Sequence, residues 1–131
     1  MNKGKVLVID DEEIVRVSCH RILAPEGYDV KSTESASEGF GILEKEPVDL
    51  VLVDLKMPDI DGIEVLKRIK VQWPDIEVIM ITGYHAITTA ITSAAEAIRN
   101  LGAFDYIEKP FTPDAIIEVI AGAMQHKKAK S

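Results

Sequence analysis

The chain has 131 residues, enough for one domain with a core of its own and too few for two. Hydrophobic residues make up 47% and charged ones 28%, the balance of a globular protein, and the formal net charge of −7 repels phosphate backbones, so direct nucleic-acid binding is not expected. No apolar run is long enough to span a bilayer, no signal peptide precedes the first acidic cluster, and the single Cys19 offers neither a disulfide nor metal-ligand spacing, so the expected setting is the cytoplasm without membrane contact.

In chain order, short apolar runs alternate with helical patterns. Runs at residues 6–9, 28–32, 48–53, 76–81 and 104–107 read as strands, and three of them are almost continuously Val, Ile and Leu, as in parallel strands covered on both faces. The first helical stretch carries Ile14, Val15, Ser18, Cys19 and Ile22 on one stripe and should end near Pro25 and Gly27. The second runs over 35–45, with Ser35 as N-cap and Glu38 three residues on. The third covers 62–72 with Ile63, Leu66 and Ile69 inward, and the fourth has the stripe Ile87, Ala90, Ile91, Ala94 and Ile98, stopping before Gly102. The last starts with Thr112 as cap and Pro113 in the first turn, and buries Ile116, Ile120 and Met124. The expected layout is one domain over residues 4–124 followed by a solvated, basic tail over 125–131. Strand and helix in five alternations predict an α/β, doubly wound parallel sheet.

Ligands of such sheets bind beyond the carboxyl ends of the strands. There the sequence places Asp10 and Asp11 after the first run, Asp54 at the end of the third, Thr82 at the end of the fourth, and Lys109-Pro110 after the fifth. Two carboxylates about 4 Å apart repel by roughly 4 kcal/mol at an effective dielectric near 20. A hard divalent cation with oxygen ligands relieves that repulsion, and magnesium favours one or two carboxylates with waters and a phosphate oxygen. With Lys109 adding positive charge, the pocket suits delivery of a phosphoryl group to a carboxylate, and the central Asp54 is the natural nucleophile. Glu12 and Glu13 read as acids at a helix start, Asp59 and Asp61 as turn residues.

This set resembles the response-regulator receiver domain of bacterial two-component systems. The likeness covers nearly the whole chain and includes Val6-Leu7-Val8-Ile9-Asp10-Asp11-Glu12, Asp54-Leu55-Lys56-Met57-Pro58 with Asp61-Gly62, and Gly102-Ala103-Phe104-Asp105-Tyr106 ahead of Lys109-Pro110-Phe111. The resemblance implies a flavodoxin-like five-stranded sheet in the order 2-1-3-4-5 with five helices. It implies that Asp54 takes phosphate from a sensor histidine kinase or a phosphotransfer protein. Magnesium, or manganese or calcium in its place, would be held by Asp11, Asp54 and the backbone carbonyl of Lys56, with Asp10 nearby. Thr82 and Lys109 would bind phosphoryl oxygens, Tyr106 would be the switch aromatic, and Pro110 would follow a cis bond. The implied output is altered binding of an effector domain or protein, with a phosphorylation-linked homodimer as a further possibility; the domain is a switch rather than a metabolic enzyme.

Lys109 follows Thr82 by 27 positions, and that segment is roughly five residues, or about 1.4 helical turns, longer than in members of the family. The excess is expected in the fourth helix or its entry, where it alters the face on which the family docks partners. Lys56 and Tyr84, each two places after a site residue, should flank the phosphoryl group and tune its hydrolysis, the large Tyr84 slowing it by obstructing water. Two alternatives fit less well. A phosphohydrolase of the haloacid dehalogenase type would have its nucleophile first, in an Asp-x-Asp motif, whereas here the acidic pair comes first. A non-phosphorylated interaction module would not need all five site residues.

Overall fold

The computed structural model describes residues 2–83 and 98–130. Five parallel strands, β1 (Lys5–Ile9), β2 (Asp29–Thr33), β3 (Leu50–Asp54), β4 (Glu77–Thr82) and β5 (Asp105–Glu108), form one sheet in the order β2-β1-β3-β4-β5. Every residue of β3 and β4 is buried, because helices cover both faces of the centre of the sheet. The period-two alternation of strand side chains divides the core in two. Leu7, Ile9, Val51, Val53, Val78 and Met80 face one layer, where α2 (Ala36–Lys45) and α3 (Gly62–Gln72) pack. Val6, Val8, Leu50, Leu52, Ile79 and Ile81 face the other, under α1 (Glu13–Leu23) and the C-terminal helix (Pro113–Lys130). Residues 98–100 are also helical and lead to Gly102; the rest of the stripe from Ile87 lies outside the described residues. Among the described residues no helix is long and apolar enough to cross a membrane.

The local signals act as the residue types dictate. The Ser35 hydroxyl accepts from the Glu38 N–H at 3.3 Å, Asp61 accepts from the Ile63 N–H at 2.8 Å, and Thr112 accepts from the Ala115 N–H at 3.1 Å, each satisfying a donor that a helix start leaves open. After α1 a short 3₁₀ turn, Ala24–Glu26, ends at Gly27 with φ of 102°, a conformation that glycine adopts without strain. A Cβ at Gly62 would lie 2.4 Å from the Asp54 carbonyl oxygen, so only glycine lets α3 start this close to the end of β3.

Two expectations need correction. Ile14 is not part of the buried stripe of α1: it is 73% exposed, and Val15, Cys19 and Leu23 make the buried face. One residue turns a helix by about 100°, so with Val15 inward Ile14 lies toward the rim of the sheet edge. The stretch after residue 124 is exposed over most of its length, as expected, but it is helix and not a free tail. The C-terminal helix continues to Lys130 because Glu77, only 2% exposed at the start of β4, holds it there. Lys130 Nζ lies 2.8 Å and His126 Nδ1 3.2 Å from the Glu77 carboxylate, and Lys127 donates to the Asp75 carbonyl at 2.7 Å. Met124 is half-buried, and Ala123 takes the fully buried position after Ile120.

Burial pushes the Glu77 carboxyl up, but hydrogen bonds from Lys130 and His126 outweigh it and hold the group below the usual carboxylate range. A depressed carboxyl contributes stability above its unfolded pKa and loses it as pH falls through the folded value. Glu77→Gln should therefore lower stability near pH 7 by about 1–2 kcal/mol, a modest figure because both partners are half-exposed. The difference from wild type should vanish in strong acid, which urea titrations at a series of pH values will read.

Candidate phosphoacceptor site

Among the described residues five polar side chains are buried: Asp10, Thr33, Asp54, Glu77 and Thr82. Four of these lie at or just beyond the carboxyl ends of β1, β2, β3 and β4. A buried polar group is costly unless paired, so this edge of the sheet is where the fold has spent stability.

Each acid is fixed by its element. Asp10 follows β1; its N–H donates to the Thr33 carbonyl at 3.1 Å, its own carbonyl accepts from Arg16 Nη1 at 2.6 Å, and its Oδ1 accepts from the Glu12 N–H at 2.9 Å. Asp54 is the last residue of β3, paired in register with Ile81, and its Oδ1 accepts from the Lys56 N–H at 3.3 Å. Lys109 reaches in after β5, through a cis bond to Pro110. Its Nζ lies 3.1 Å from Asp10 Oδ2, 3.3 Å from Asp54 Oδ2 and 2.5 Å from Glu12 Oε1. Carboxylate oxygens of Asp10, Glu12 and Asp54 all lie within 4.8 Å of one another.

Three carboxylates thus share one ammonium, and negative charge is in surplus. The protonation behaviour follows. Burial and then the charge of Asp10 push the Asp54 carboxyl up to about 6, against the pull of Lys109 and the Lys56 N–H. Asp10 is raised as well, by burial first, although the Glu12 N–H and Lys109 oppose it. Burial would depress Lys109, but the hydrogen bond it donates to Glu12 and the charges of Asp10 and Asp54 leave it raised and firmly cationic. Among the described residues Asp10 Oδ2 accepts no hydrogen bond and is met only by the Lys109 ion pair. An all-oxygen donor set with surplus charge and an under-satisfied buried oxygen is what a hard divalent cation requires. The residues fit such an ion.

The structure brings together Asp10, Asp54 and Lys109, and places Thr82 at the same edge. The Thr82 hydroxyl is fully buried and donates to the Ile107 carbonyl of β5 at 3.4 Å. Asp11 is exposed and is not in the acidic group; Glu12 supplies the third carboxylate. The chain bends at Asp11, and the Glu12 N–H turns back onto Asp10 Oδ1, which keeps Glu12 beside Asp10 while Asp11 stays exposed. Lys56 is exposed, and Tyr106 is half-buried on β5, packed against the α2–α3 layer. Tyr84 lies outside the described residues. Sequence reasoning gave Glu12 only a helix-end role and passed over Arg16; the signal for Glu12 was its two-residue spacing from Asp10, whereas Arg16 acts through a backbone carbonyl that no pattern marks. Cys19 is a core residue, its thiol pushed up to about 12 by burial and then by Asp10.

Comparison with known proteins agrees with this arrangement. The model of the response regulator receiver domain family matches residues 6–121. The chain is 36% identical over 126 residues to the DNA-binding transcriptional regulator NtrC of Proteus hauseri, covering 96% of this chain and 26% of that protein. It is 38% identical over 132 aligned positions to a putative NtrX-like response regulator of Rickettsia typhi, covering 99% and 27%. Among solved structures, a CheY-like receiver domain protein from Methanospirillum hungatei JF-1 superposes with a TM-score of 0.87 at 32% identity, over 98% of both chains. NtrX from Brucella abortus, in complex with ADP, gives 0.88 at 34% identity over 99% of this chain and 29% of that one. The chain therefore spans about a quarter of the length of the curated relatives named here. With Asp54 at the end of β3, Lys109 against it and the family's sheet order observed, the chain belongs to the response regulator receiver domains.

Proposed function

We propose that the chain is a phosphorylation switch in the cytoplasm, in which Asp54 accepts a phosphoryl group from the phosphohistidine of a sensor histidine kinase or phosphotransfer protein. The observation that carries this reading is the buried Asp54 carboxylate at a strand end with Lys109 at 3.3 Å. An Asp54 oxygen attacks phosphorus, the phosphorus–nitrogen bond breaks, and its electron pair returns to the imidazole. Lys109 is already oriented by three carboxylates and meets the transferred oxygens without being desolvated afresh. Magnesium, or manganese or calcium in its stead, would be held by Asp54, Asp10 and the Lys56 carbonyl, with Asp11, which stands outside the acidic group of Asp10, Glu12 and Asp54, turning in to join them, and would supply neutralising charge to the incoming anion.

The switch acts through Thr82 and Tyr106. In the unphosphorylated chain the Thr82 hydroxyl is engaged by the β5 carbonyl of Ile107, one residue from Tyr106. A phosphoryl oxygen on Asp54 competes for that hydroxyl, and its departure frees the backbone of β5 beside Tyr106. Moving a two-state equilibrium from 1:99 to 99:1 takes about 5.5 kcal/mol, which a few charge-assisted hydrogen bonds of about 1.5–3 kcal/mol each supply. Lys56 and Tyr84 flank the phosphoryl group in this reading, and an effector domain or protein reads the Tyr106 face.

An apolar groove borders the site. Ile14 and Ile22 of α1 line it together with Pro110 and Phe111, and so do Glu12 and Lys109 of the site. A protein that presents phosphohistidine to Asp54 has to approach past this rim, and the groove gives it apolar surface to bury there.

Incubation with acetyl phosphate and magnesium should add one phosphoryl mass to the wild type and none to Asp54→Asn; no shift in the wild type would leave a non-phosphorylated interaction module. The raised Asp54 group has the opposite pH sign from Glu77: its contribution is present below the ordinary value of 3.8 and is lost as pH rises through about 6. In metal-free protein Asp54→Asn should thus gain about 1–3 kcal/mol of stability near pH 7.5 and nothing near pH 3.5 by thermal unfolding. Ile14→Asp should slow transfer from the cognate kinase about tenfold or more, and far more than transfer from acetyl phosphate; equal slowing would remove the groove from the docking surface.

A further inference from the structure

Residues 55–61 leave the phosphoacceptor and enter α3, and the Lys56 carbonyl belongs to this loop. Leu55, Met57 and Ile60 pack against the core and set how deep the loop sits. Apolar packing has no direction, so it does not decide where the loop's carbonyls point; hydrogen bonds do. At its two ends the loop is held by the Lys56 N–H on Asp54 Oδ1 at 3.3 Å and the Gly62 N–H on the Leu55 carbonyl at 2.9 Å. In between, Asp59 Oδ2 accepts the N–H of Ala36 at 3.2 Å.

That bond crosses to another element. Ala36 is the first residue of α2, and its N–H is a donor the helix cannot satisfy internally, at the end where a carboxylate is favoured. The path continues from there. The preceding carbonyl, of Ser35, accepts from the Thr33 hydroxyl at 3.0 Å, and the Thr33 carbonyl accepts from the Asp10 N–H at 3.1 Å. The two acid-bearing segments, after β1 and after β3, are therefore tied through residues 33–36, with Asp59 as the last link.

We propose that Asp59 is a positioning residue for magnesium: it holds the 55–61 loop in register with Asp10 through α2, so that the Lys56 carbonyl and the Asp54 carboxylate are presented together. This rests on the phosphorylation-switch reading above. Asp59 itself is exposed and acts only through the loop it restrains.

Calorimetric titration of magnesium chloride into the full chain, with no phosphodonor present, tests it. Asp59→Ala should weaken magnesium binding about fivefold, less than the 10–100-fold typical when a direct partner of a ligand is lost. Amide hydrogen exchange over 55–61 should quicken in the same variant. Asp59→Asn keeps an acceptor oxygen for the Ala36 N–H and should stay within about twofold of wild type. Unchanged affinity in Asp59→Ala would overturn the proposal, and so would equal weakening in Asp59→Asn, which would assign the effect to the charge. Wild-type protein that does not bind magnesium would sink the switch reading as well, whereas binding that Asp59→Ala leaves intact would sink the positioning role alone.

Discussion

The structure turns on a charge imbalance held at one edge of a parallel sheet. Asp10, Glu12 and Asp54 crowd around the single ammonium of Lys109, and two of the three acids are buried. Such a cluster costs stability, because each carboxylate is desolvated and each repels the others. The fold supports it by spending apolar burial elsewhere: β1, β3 and β4 are covered on both faces, and their packing fixes where their ends lie. A surplus of this sign favours a divalent cation and opposes an anion unless such a cation is present.

The same strand serves both ends of the molecule. β4 finishes in Thr82, whose hydroxyl is bonded to β5, and begins in Glu77, which holds the last turns of the C-terminal helix. Glu77 is the one buried polar side chain, among the described residues, that lies away from the site edge. The pairing with His126 and Lys130 directs the helix to Lys130, beyond the residues matched by the family model.

Around the acidic cluster, backbone hydrogen bonds do more of the positioning than side-chain contacts. Arg16 grips the Asp10 carbonyl, Thr33 takes its N–H, and Gly62 allows α3 to start against the Asp54 carbonyl. These bonds matter because a charged group displaced by an ångström inside a low-dielectric pocket changes every energy in it.

The sequence by itself determined the fold class and most of the site. Uninterrupted Val, Ile and Leu runs announce strands covered on both faces, and an acid or a hydroxyl closing such a run announces where chemistry sits, because both signals are local and one-dimensional. The strand order came by resemblance, since periodicity carries no information about neighbours. Tertiary structure alone decided that Glu12 and not Asp11 joins the acidic group, that Ile14 faces a groove instead of the core, that residues 125–130 are helix, and that Asp59 reaches α2. Each of these depends on which residues from distant parts of the chain come to lie within about 3 Å of one another, and a pattern read along the chain is blind to that distance.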